Sequence, residues 1–366
     1  MDTESKSEAW KEDWQRLVDA VGTDFGAEIV WEGADEIDHS SLRRYLEPLE
    51  FDCPLHVDDA AARAQGYPSR IAPYSSLLTY TVPSMWRPGE RPLFADADRD
   101  GQPARSPLRN PPTGLEPATE GYFATDLELE LERPLLVGDR LHRVGNKLLA
   151  CVPKETRVGR GAFTTWENEI RNSGEDVVAR MTISRFSYTP TNNADGPAAA
   201  SPPTPEPTPA PEWHPVDWHQ QRSWEEVHPG DELAPVAFPL TVYRLVVAAG
   251  ANRDFNSIHH NSAYAQATGA ADMYANTTFL LGMWERTVRE FIGLGGGIRS
   301  ISGFNMRRFN LVGDTVVVRG RVEETWRDAE AGWAGIQVWS ENRDGISVGP
   351  GRIVVTLPTS TRDVPR

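Results

Sequence analysis

Two periodicities of apolar residues run along the chain, and each predicts one kind of element. At 8–21 and again at 264–289 the apolar side chains fall on one helical face, so both stretches are predicted to be helices. From residue 121 the period changes to two, because leucine and glutamate alternate from 127 to 132. This alternation predicts a strand with one buried face.

The remaining elements follow from the same patterns. Short helices are predicted at 40–46 and in the alanine-rich segment that follows, and a mainly apolar helix precedes residue 253. Residues 86–119 are rich in Pro, Gly, Arg and Asp without a period, which predicts a long surface excursion. Further strands are predicted at 140–150, 162–171, 177–188, 304–309, 314–323, 334–340 and 351–357.

The two halves of the chain repeat each other. A shift of 203 positions pairs His56 with His259 and also aligns a glycine and two adjacent leucines. Downstream, Leu-Val-Gly-Asp at 136–139 recurs at 311–314, each time between predicted strands. We therefore expect an α+β protein in which each half is a long helix wrapped by a curved antiparallel sheet, with the two sheets paired along their edges.

A proline- and alanine-rich segment separates the halves. Residues 189–215 have too few apolar side chains to offset the entropy of ordering, so they are expected to form an extended linker. The predicted organisation is an N-terminal extension at 1–40, a first domain at 41–188, the linker at 189–215 and a second domain at 216–366.

Charge and composition narrow the class of function. The chain has 366 residues and a formal net charge of −16, which disfavours nucleic acid and anionic membranes as partners. No apolar run is long enough to span a membrane, and the acidic start does not resemble a secretory signal, so we expect a cytoplasmic protein. The two cysteines, Cys53 and Cys151, are expected to be small packed residues.

One acid and one histidine are the main candidates for chemistry. Asp254 and His259 stand five positions apart, ahead of the second helical run, and a carboxylate and an imidazole that share one water can add it to an activated double bond. The alternatives are a turn carboxylate and a histidine of the core. His260 is expected to be an exposed neighbour, and His56 to be structural.

The residues around this pair resemble a known family. The motif Asp254-x-Asn256-x-x-His259 resembles the hydratase motif of the MaoC-like dehydratases, also called (R)-specific enoyl-CoA hydratases, which have the hotdog fold. Segments at 224–227, 230–231, 239–241 and 309–314 resemble the same family, and the first half, through 52–56 and 70–73, resembles its non-catalytic N-terminal domain. The resemblance implies a double hotdog with a degenerate first half.

The resemblance also implies an activity. The expected reaction is reversible hydration of a trans-2-enoyl thioester to a 3-hydroxyacyl thioester, without metal or redox cofactor. Asp254 and His259 would activate the water, and an amide at the start of the central helix would polarise the thioester carbonyl. Asn256, Tyr274, Asn276 and Thr277 are the residues expected around the substrate.

Two positions depart from the family pattern. Many relatives have His-Gly where this chain has Asn276-Thr277, and a threonine there adds a side chain where glycine lets the thioester approach the backbone. In the first half, Phe51 stands where the second half has Asp254, so one site per chain is expected. Three arginines are candidates for coenzyme A contacts, with a solvated strand face as the alternative: Arg299, Arg307 and Arg308.

Three hypotheses remain open on sequence alone. The first is a hydro-lyase acting on an acyl-CoA or acyl-carrier thioester, with a substrate bulkier or more polar than a short straight chain because of the 86–119 excursion. The second is a non-catalytic hotdog protein that binds an acyl or polyketide-like ligand or a partner subunit. The third is a hotdog thioesterase. Whether the pseudo-dimer pairs again into a homodimer is also left open.

Overall fold

The computed structural model describes residues 9–26, 30–103, 113–156, 158–190, 215–218, 220–329 and 331–360. Its first seven strands are β1 (Val30–Glu36), β2 (Ile71–Ala72), β3 (Gly121–Leu131), β4 (Leu135–Leu136), β5 (Arg140–Thr156), β6 (Gly159–Arg171) and β7 (Val177–Thr189). The second half contributes β8 (Val236–Pro239), β9 (Gly297–Asn305), β10 (Thr315–Arg327), β11 (Gly332–Asn342) and β12 (Gly345–Leu357). The predicted linker lies almost entirely outside the described residues.

The helices are mostly short. They are α1 (Gln15–Asp19), α2 (His39–Leu46), α3 (Pro54–Val57), α4 (Asp59–Ala64), α5 (Leu77–Thr81), α6 (Val242–Ala251), α7 (Ser262–Ala267) and α8 (Thr277–Ile292). Short segments of 3-10 helix lie at Ala9–Trp14, Glu47–Leu49, Tyr74–Ser76, Trp224–Glu226 and Ser257–His259. None of the helices in the described ranges is long and apolar enough to cross a membrane.

Ten strands form one sheet in the order β1-β5-β6-β7-β3-β9-β12-β11-β10-β8. The first five belong to the first half and the last five to the second half, and the halves join through the antiparallel pair β3–β9, where Leu127 lies opposite Phe304. In β3 the side chains of Leu127, Leu129 and Leu131 are buried and the glutamates between them are exposed, as the alternation predicts. The expected α+β fold with paired sheet edges is confirmed.

The duplication is visible in equivalent hydrogen bonds. In the first half, the N–H of Gly138 donates to the carbonyl of Ile37 at 2.9 Å, and in the second half the N–H of Gly313 donates to that of Leu240 at 2.7 Å. Ile37 and Leu240 are 203 positions apart, like His56 and His259. The repeat therefore includes β1 and β8, which pair with β5 and β10 respectively.

This equivalence changes how the start of the chain is understood. Residues 30–40, which the sequence analysis places in an N-terminal extension, hold β1 and the start of α2 and are the counterparts of β8 and α6. The pattern of β1 does not alternate, so only its pairing with β5 makes it a strand. Further upstream, Trp14 and Leu17 pack in a small core against Leu148 and Trp166 of the first sheet. The boundaries of the two domains and the linker, at residues 41–188, 189–215 and 216–366, remain predictions.

The central helices of the two halves differ. In the second half α8 is 16 residues long and has most of its side chains buried, including Trp284 at 0% exposure. In the first half the corresponding helix, α5, has only five residues and is preceded by the 3-10 turn Tyr74–Ser76, so the prediction of a long helix in each half is wrong for the first half. Pro83 explains the early end, because the residue before a proline avoids the helical region.

Two other sequence predictions need correction. The run at 264–289 is not one helix: α7 ends at Ala267, Gly269 takes a left-handed φ of 95°, and α8 begins at Thr277. The strand predicted at 304–309 is β9, which ends at Asn305 and begins at Gly297. Cys53 and Cys151 are free and buried, and burial raises the pKa of their thiols to about 12 and about 11, as expected for packed cysteines.

Candidate active site

The loop between α6 and α7 carries Asp254 and His259. Asn256 caps the 3-10 turn Ser257–His259, with its side-chain oxygen accepting from the N–H of Ile258 at 3.4 Å. The short turn brings His259 back towards Asp254, so that the Oδ2 atom of Asp254 lies 3.3 Å from Nε2 of His259. The predicted proximity of the two side chains is therefore present in the structure.

The environment of His259 fixes its tautomer. Its Nδ1 lies 2.9 Å from the carbonyl oxygen of Tyr274, and since a carbonyl can only accept, Nδ1 carries a proton. In the neutral imidazole, Nε2 is then an acceptor that faces the Asp254 carboxylate. Burial by itself would lower the pKa of His259, but the charge and hydrogen bond of Asp254, together with the Tyr274 carbonyl, outweigh it and raise the pKa above the ordinary value.

The start of α8 supplies the second part of the site. Asn276 is its N-cap and accepts the N–H of Phe279 at 2.7 Å and the side-chain N–H of Asn252 at 3.0 Å. Thr277 occupies the first helical position, whose N–H has no acceptor within a helix. Its hydroxyl lies 3.4 Å from the sulfur of Met306. A backbone donor and the positive end of a helix dipole therefore lie at this point.

These groups share one cavity of about 820 Å³. Asp254, Asn256, His259, Tyr274 and Thr277 all line it, whereas Asn276 is buried behind the wall as the cap of α8. The first half contributes much of the remaining surface, including Val82, Phe123, Arg143, Phe163, Arg185 and Phe186. The cavity therefore extends from the acid–histidine pair into the first half.

The equivalent position in the first half has lost the acid. The Nδ1 atom of His56 contacts the carbonyl oxygen of Ile71 at 2.7 Å, which repeats the contact of His259 with Tyr274. The ring of Phe51 packs against His56 at 4.9 Å, where the second half has Asp254. Burial lowers the pKa of His56 to about 3, so this histidine stays neutral. The histidine and its contact with a backbone carbonyl are therefore repeated in both halves, but the acid is present only in the second half.

The three candidate arginines divide between two places. Arg307 and Arg308 are exposed and line the cavity near Met306, while Arg299 is exposed on β9 and does not line it. The structure thus separates Arg299 from the candidate site. His260 is exposed, as expected for a neighbour of the pair.

The sequence did not predict several residues that contact the site. Asn252 lies only two positions before Asp254, and it is buried and donates a hydrogen bond to the side chain of Asn276, the N-cap of α8. The first-half lining residues Arg143 and Arg185 lie on different strands, and no local pattern marks them as pocket residues. In the described ranges, no group of three or more His, Cys, Asp or Glu could hold a metal ion.

Comparisons with known proteins find similarity to a dehydratase region and to hydratase subunits. Residues 23–181 match the family described as FAS1-like, dehydratase domain region. A probable enoyl-CoA hydratase alpha subunit from Thermomonospora curvata is 27% identical over 179 residues, which are 48% of this chain and 52% of that protein. The 3-oxo-4,17-pregnadiene-20-carboxyl-CoA hydratase alpha subunit of Mycobacterium tuberculosis is 26% identical over 155 residues, which are 40% of this chain and 43% of that protein. The chain thus spans about half the length of the curated relatives that it matches.

Solved structures share the fold along nearly the whole chain. A MaoC-like dehydratase has a TM-score of 0.65 at 19% identity, covering 94% of this chain and 100% of that one. A conserved hypothetical protein from Mycobacterium tuberculosis, described as a double hotdog fold, has a TM-score of 0.57 at 10% identity, with 92% and 98% covered. These similarities show that the chain has the double-hotdog fold, and its first half is similar to a dehydratase domain region.

Proposed function

We propose that this protein reversibly hydrates a trans-2-enoyl thioester to a 3-hydroxyacyl thioester, with Asp254 and His259 as the catalytic pair. The main support is that Oδ2 of Asp254 and Nε2 of His259 lie 3.3 Å apart in the wall of a large cavity that also contains the start of α8. The two curated relatives carry hydratase names, which agrees with this reaction class.

The geometry suggests how the water would be activated. A water molecule can donate one hydrogen to the Asp254 carboxylate and the other to Nε2 of neutral His259, which directs its oxygen lone pair into the cavity. As the C–O bond forms at C3, one of the two acceptors takes the proton, and the electron pair of the double bond moves towards the thioester carbonyl. The same pair then returns a proton to C2, which completes the addition of H and OH.

The N–H of Thr277 is the proposed donor for the thioester oxygen. Negative charge develops on that oxygen in the enolate-like transition state, and a donor at a helix N-terminus stabilises it without reorganising. Because the donor is a backbone group, the replacement of glycine by threonine leaves it in place. The threonine side chain instead narrows the approach to the amide and is held next to Met306.

The shape of the cavity supports a bulky acyl group. About 820 Å³ is a large volume for a small-molecule site, and its first-half portion is lined by aromatic side chains and by Arg143 and Arg185. The short α5 contributes Leu78 and Thr81 to the same lining. Arg307 and Arg308, exposed at the cavity, are the proposed contacts for the phosphates of coenzyme A.

The activity can be tested with enoyl-CoA substrates. Loss of enoyl absorbance and incorporation of labelled water at C3 would be measured for the wild type, Asp254→Asn and His259→Gln. Both variants should lose a factor of roughly 10²–10⁴ in turnover, the usual contribution of a positioned acid or base. His260→Gln is the matched control and should retain activity, because that side chain is exposed.

Other outcomes would assign a different role. Near-wild-type hydration by either site variant would contradict the mechanism. Release of free coenzyme A without hydration would indicate a thioesterase. Tight binding of acyl-CoA by the wild type, without exchange of labelled water, would indicate a non-catalytic binding protein.

A further inference from the structure

The loop that carries the acid–histidine pair is attached to the first half at both ends. At its start, the guanidinium of Arg253 donates from Nη1 to the carbonyl of Val82 at 2.7 Å and from Nη2 to that of Pro83 at 3.1 Å. These carbonyls follow α5 directly, and both residues line the cavity, as Asp254 does. Because Arg253 precedes Asp254, this anchor acts on the backbone that carries the carboxylate.

The backbone of Arg253 has an unusual conformation. Its φ is 57°, in the left-handed region that residues other than glycine, asparagine and aspartate rarely adopt. The left-handed residue turns the chain sharply after α6, and the N–H of Asp254 donates to the carbonyl of Ala249 at 3.0 Å. Glycine would adopt this left-handed conformation at a lower conformational cost. We therefore attribute the arginine at this position to the hydrogen bonds of its guanidinium with the carbonyls of Val82 and Pro83.

The other end of the loop is held by the excursion of the first half. The hydroxyl of Ser257 donates to the side-chain oxygen of Gln102 at 2.8 Å, and Ser257 shares its 3-10 turn with His259. The side-chain N–H of Asn261 donates to Asp100 at 2.6 Å. Both partners lie within the stretch that the sequence analysis identifies as a surface excursion.

We propose that the first half, although it lacks the acid, positions the catalytic pair by clamping the loop 253–261 at both ends, with Arg253 as the principal positioning residue. The four first-half residues that accept the hydrogen bonds of Arg253, Ser257 and Asn261 lie between positions 82 and 102. The inference rests on the proposed function, since it assigns a purpose to the geometry of Asp254 and His259. It also gives the degenerate half a role other than forming the acyl pocket.

Several charged groups surround the two residues that the test involves. Arg253 lines a second, smaller cavity together with Asp35, Asp38 and Arg44. His259 is in contact with Asp254 and with the ring of Tyr274, whose centroid lies 5.2 Å away. Since Asp254 is the group that raises the pKa of His259, that pKa reports whether the carboxylate is held in place.

The test compares Arg253→Met, Arg253→Lys and the control Arg44→Met. Methionine keeps an unbranched stem but donates no hydrogen bond, so Asp254 should move away from His259. We expect kcat for an enoyl-CoA to fall roughly 10- to 100-fold with little change in KM, as a misplaced catalytic group does. The pKa of His259, followed by NMR in the ligand-free protein and assigned with His259→Gln, should fall. Arg253→Lys keeps one cationic donor, so its kcat and its His259 pKa should lie between those of Arg253→Met and the wild type. Arg44→Met should change neither kcat nor the pKa of His259.

The result that would overturn the proposal is a wild-type pKa for His259 together with an unchanged kcat in Arg253→Met. If that variant does not fold by circular dichroism, Arg253→Lys decides by the same two measurements, because loss of one of the two donors should still lower both values. The Gln102→Leu variant tests the second anchor and should lower kcat in the same direction. If the wild type hydrates no enoyl thioester, the proposed function fails, while the titration of His259 still decides the positioning.

Discussion

A buried carboxylate on α8 connects the two halves and gives a sharp test of how the interface is stabilised. Glu285 is 1% exposed, and its two oxygens accept the N–H groups of Tyr74 at 2.9 Å and Ser75 at 2.7 Å. These N–H groups open the 3-10 turn that precedes α5 in the first half. The side chain therefore provides the cap that this turn does not have in its own half.

The size of the effect follows from the two bonds. Glu285→Gln keeps one acceptor but places an NH₂ group against the other N–H, so one hydrogen bond is lost and one buried donor is left unpaired. A hydrogen bond contributes about 0.5–1.5 kcal/mol and an unsatisfied buried group costs about 1–3 kcal/mol, and since these overlap we expect a loss of about 2 kcal/mol in the free energy of unfolding. Glu285→Leu leaves both N–H groups unpaired and should cost about 2–6 kcal/mol.

Urea unfolding followed by tryptophan fluorescence measures the difference. Glu47→Gln is the matched control, because Glu47 pairs with Arg43 on the surface, where the side chains are 50% and 62% exposed, and such pairs contribute about 0.3–0.5 kcal/mol. Burial raises the pKa of Glu285, so its contribution to stability is lost as pH rises through its folded pKa. The cost of the glutamine variant should therefore be larger near about pH 4 than near about pH 8. A cost no larger than that of the control would refute the argument.

Three further predictions concern the site. Because Asp254 raises the pKa of His259 in the folded protein, the stability that this histidine contributes is present below its unfolded pKa of about 6.5 and is lost as pH rises through the folded pKa. Urea unfolding of the wild type and His259→Gln should therefore show that the difference between their free energies of unfolding falls as pH rises. A difference that grows with pH would contradict this prediction. Thr277→Pro removes the backbone N–H at a helical position that tolerates proline, so kcat should fall by a factor of roughly 10²–10³. Thr277→Val keeps the N–H and should keep most of the activity. Equal kcat values for the two variants would exclude this amide as the donor. In a panel of enoyl-CoA substrates, bulky, branched or polar acyl groups should be preferred over crotonyl-CoA in kcat/KM, and the opposite order would contradict the bulky-substrate proposal.

The acid–histidine pair and the duplication were within reach of sequence because both depend on short-range spacing. Five positions separate Asp254 from His259, and a single turn of 3-10 helix is enough to bring their side chains to 3.3 Å. The shift of 203 positions survives in the hydrogen bonds of His56 and His259 to equivalent carbonyls. Local periodicity likewise gave β3 and most of the other strands.

The rest depended on contacts between distant parts of the chain. The break before α8 is hidden because almost all faces of that helix are buried, so its apolar pattern does not stop at a boundary. β1 becomes a strand only by pairing with β5, more than 100 positions later. The hydrogen bonds from Arg253 to the carbonyls of Val82 and Pro83 connect the second half to the first, and no spacing in the sequence predicts them. The short α5 is the exception, because Pro83 marks its end in the sequence.

The joining of the two sheets through β3 and β9 also determines how this protein can associate. That pair uses one edge of each half, and within the described residues the ten-stranded sheet ends at β1 and β8. β1 carries a register shift between Glu32 and Glu36, and β8 is four residues long and ends at Pro239, which has no N–H to donate. Both outer edges are therefore poor templates for another strand. We therefore expect any larger assembly to form through helices, loops or sheet faces, since these two edges disfavour the edge-to-edge aggregation to which long open sheets are prone.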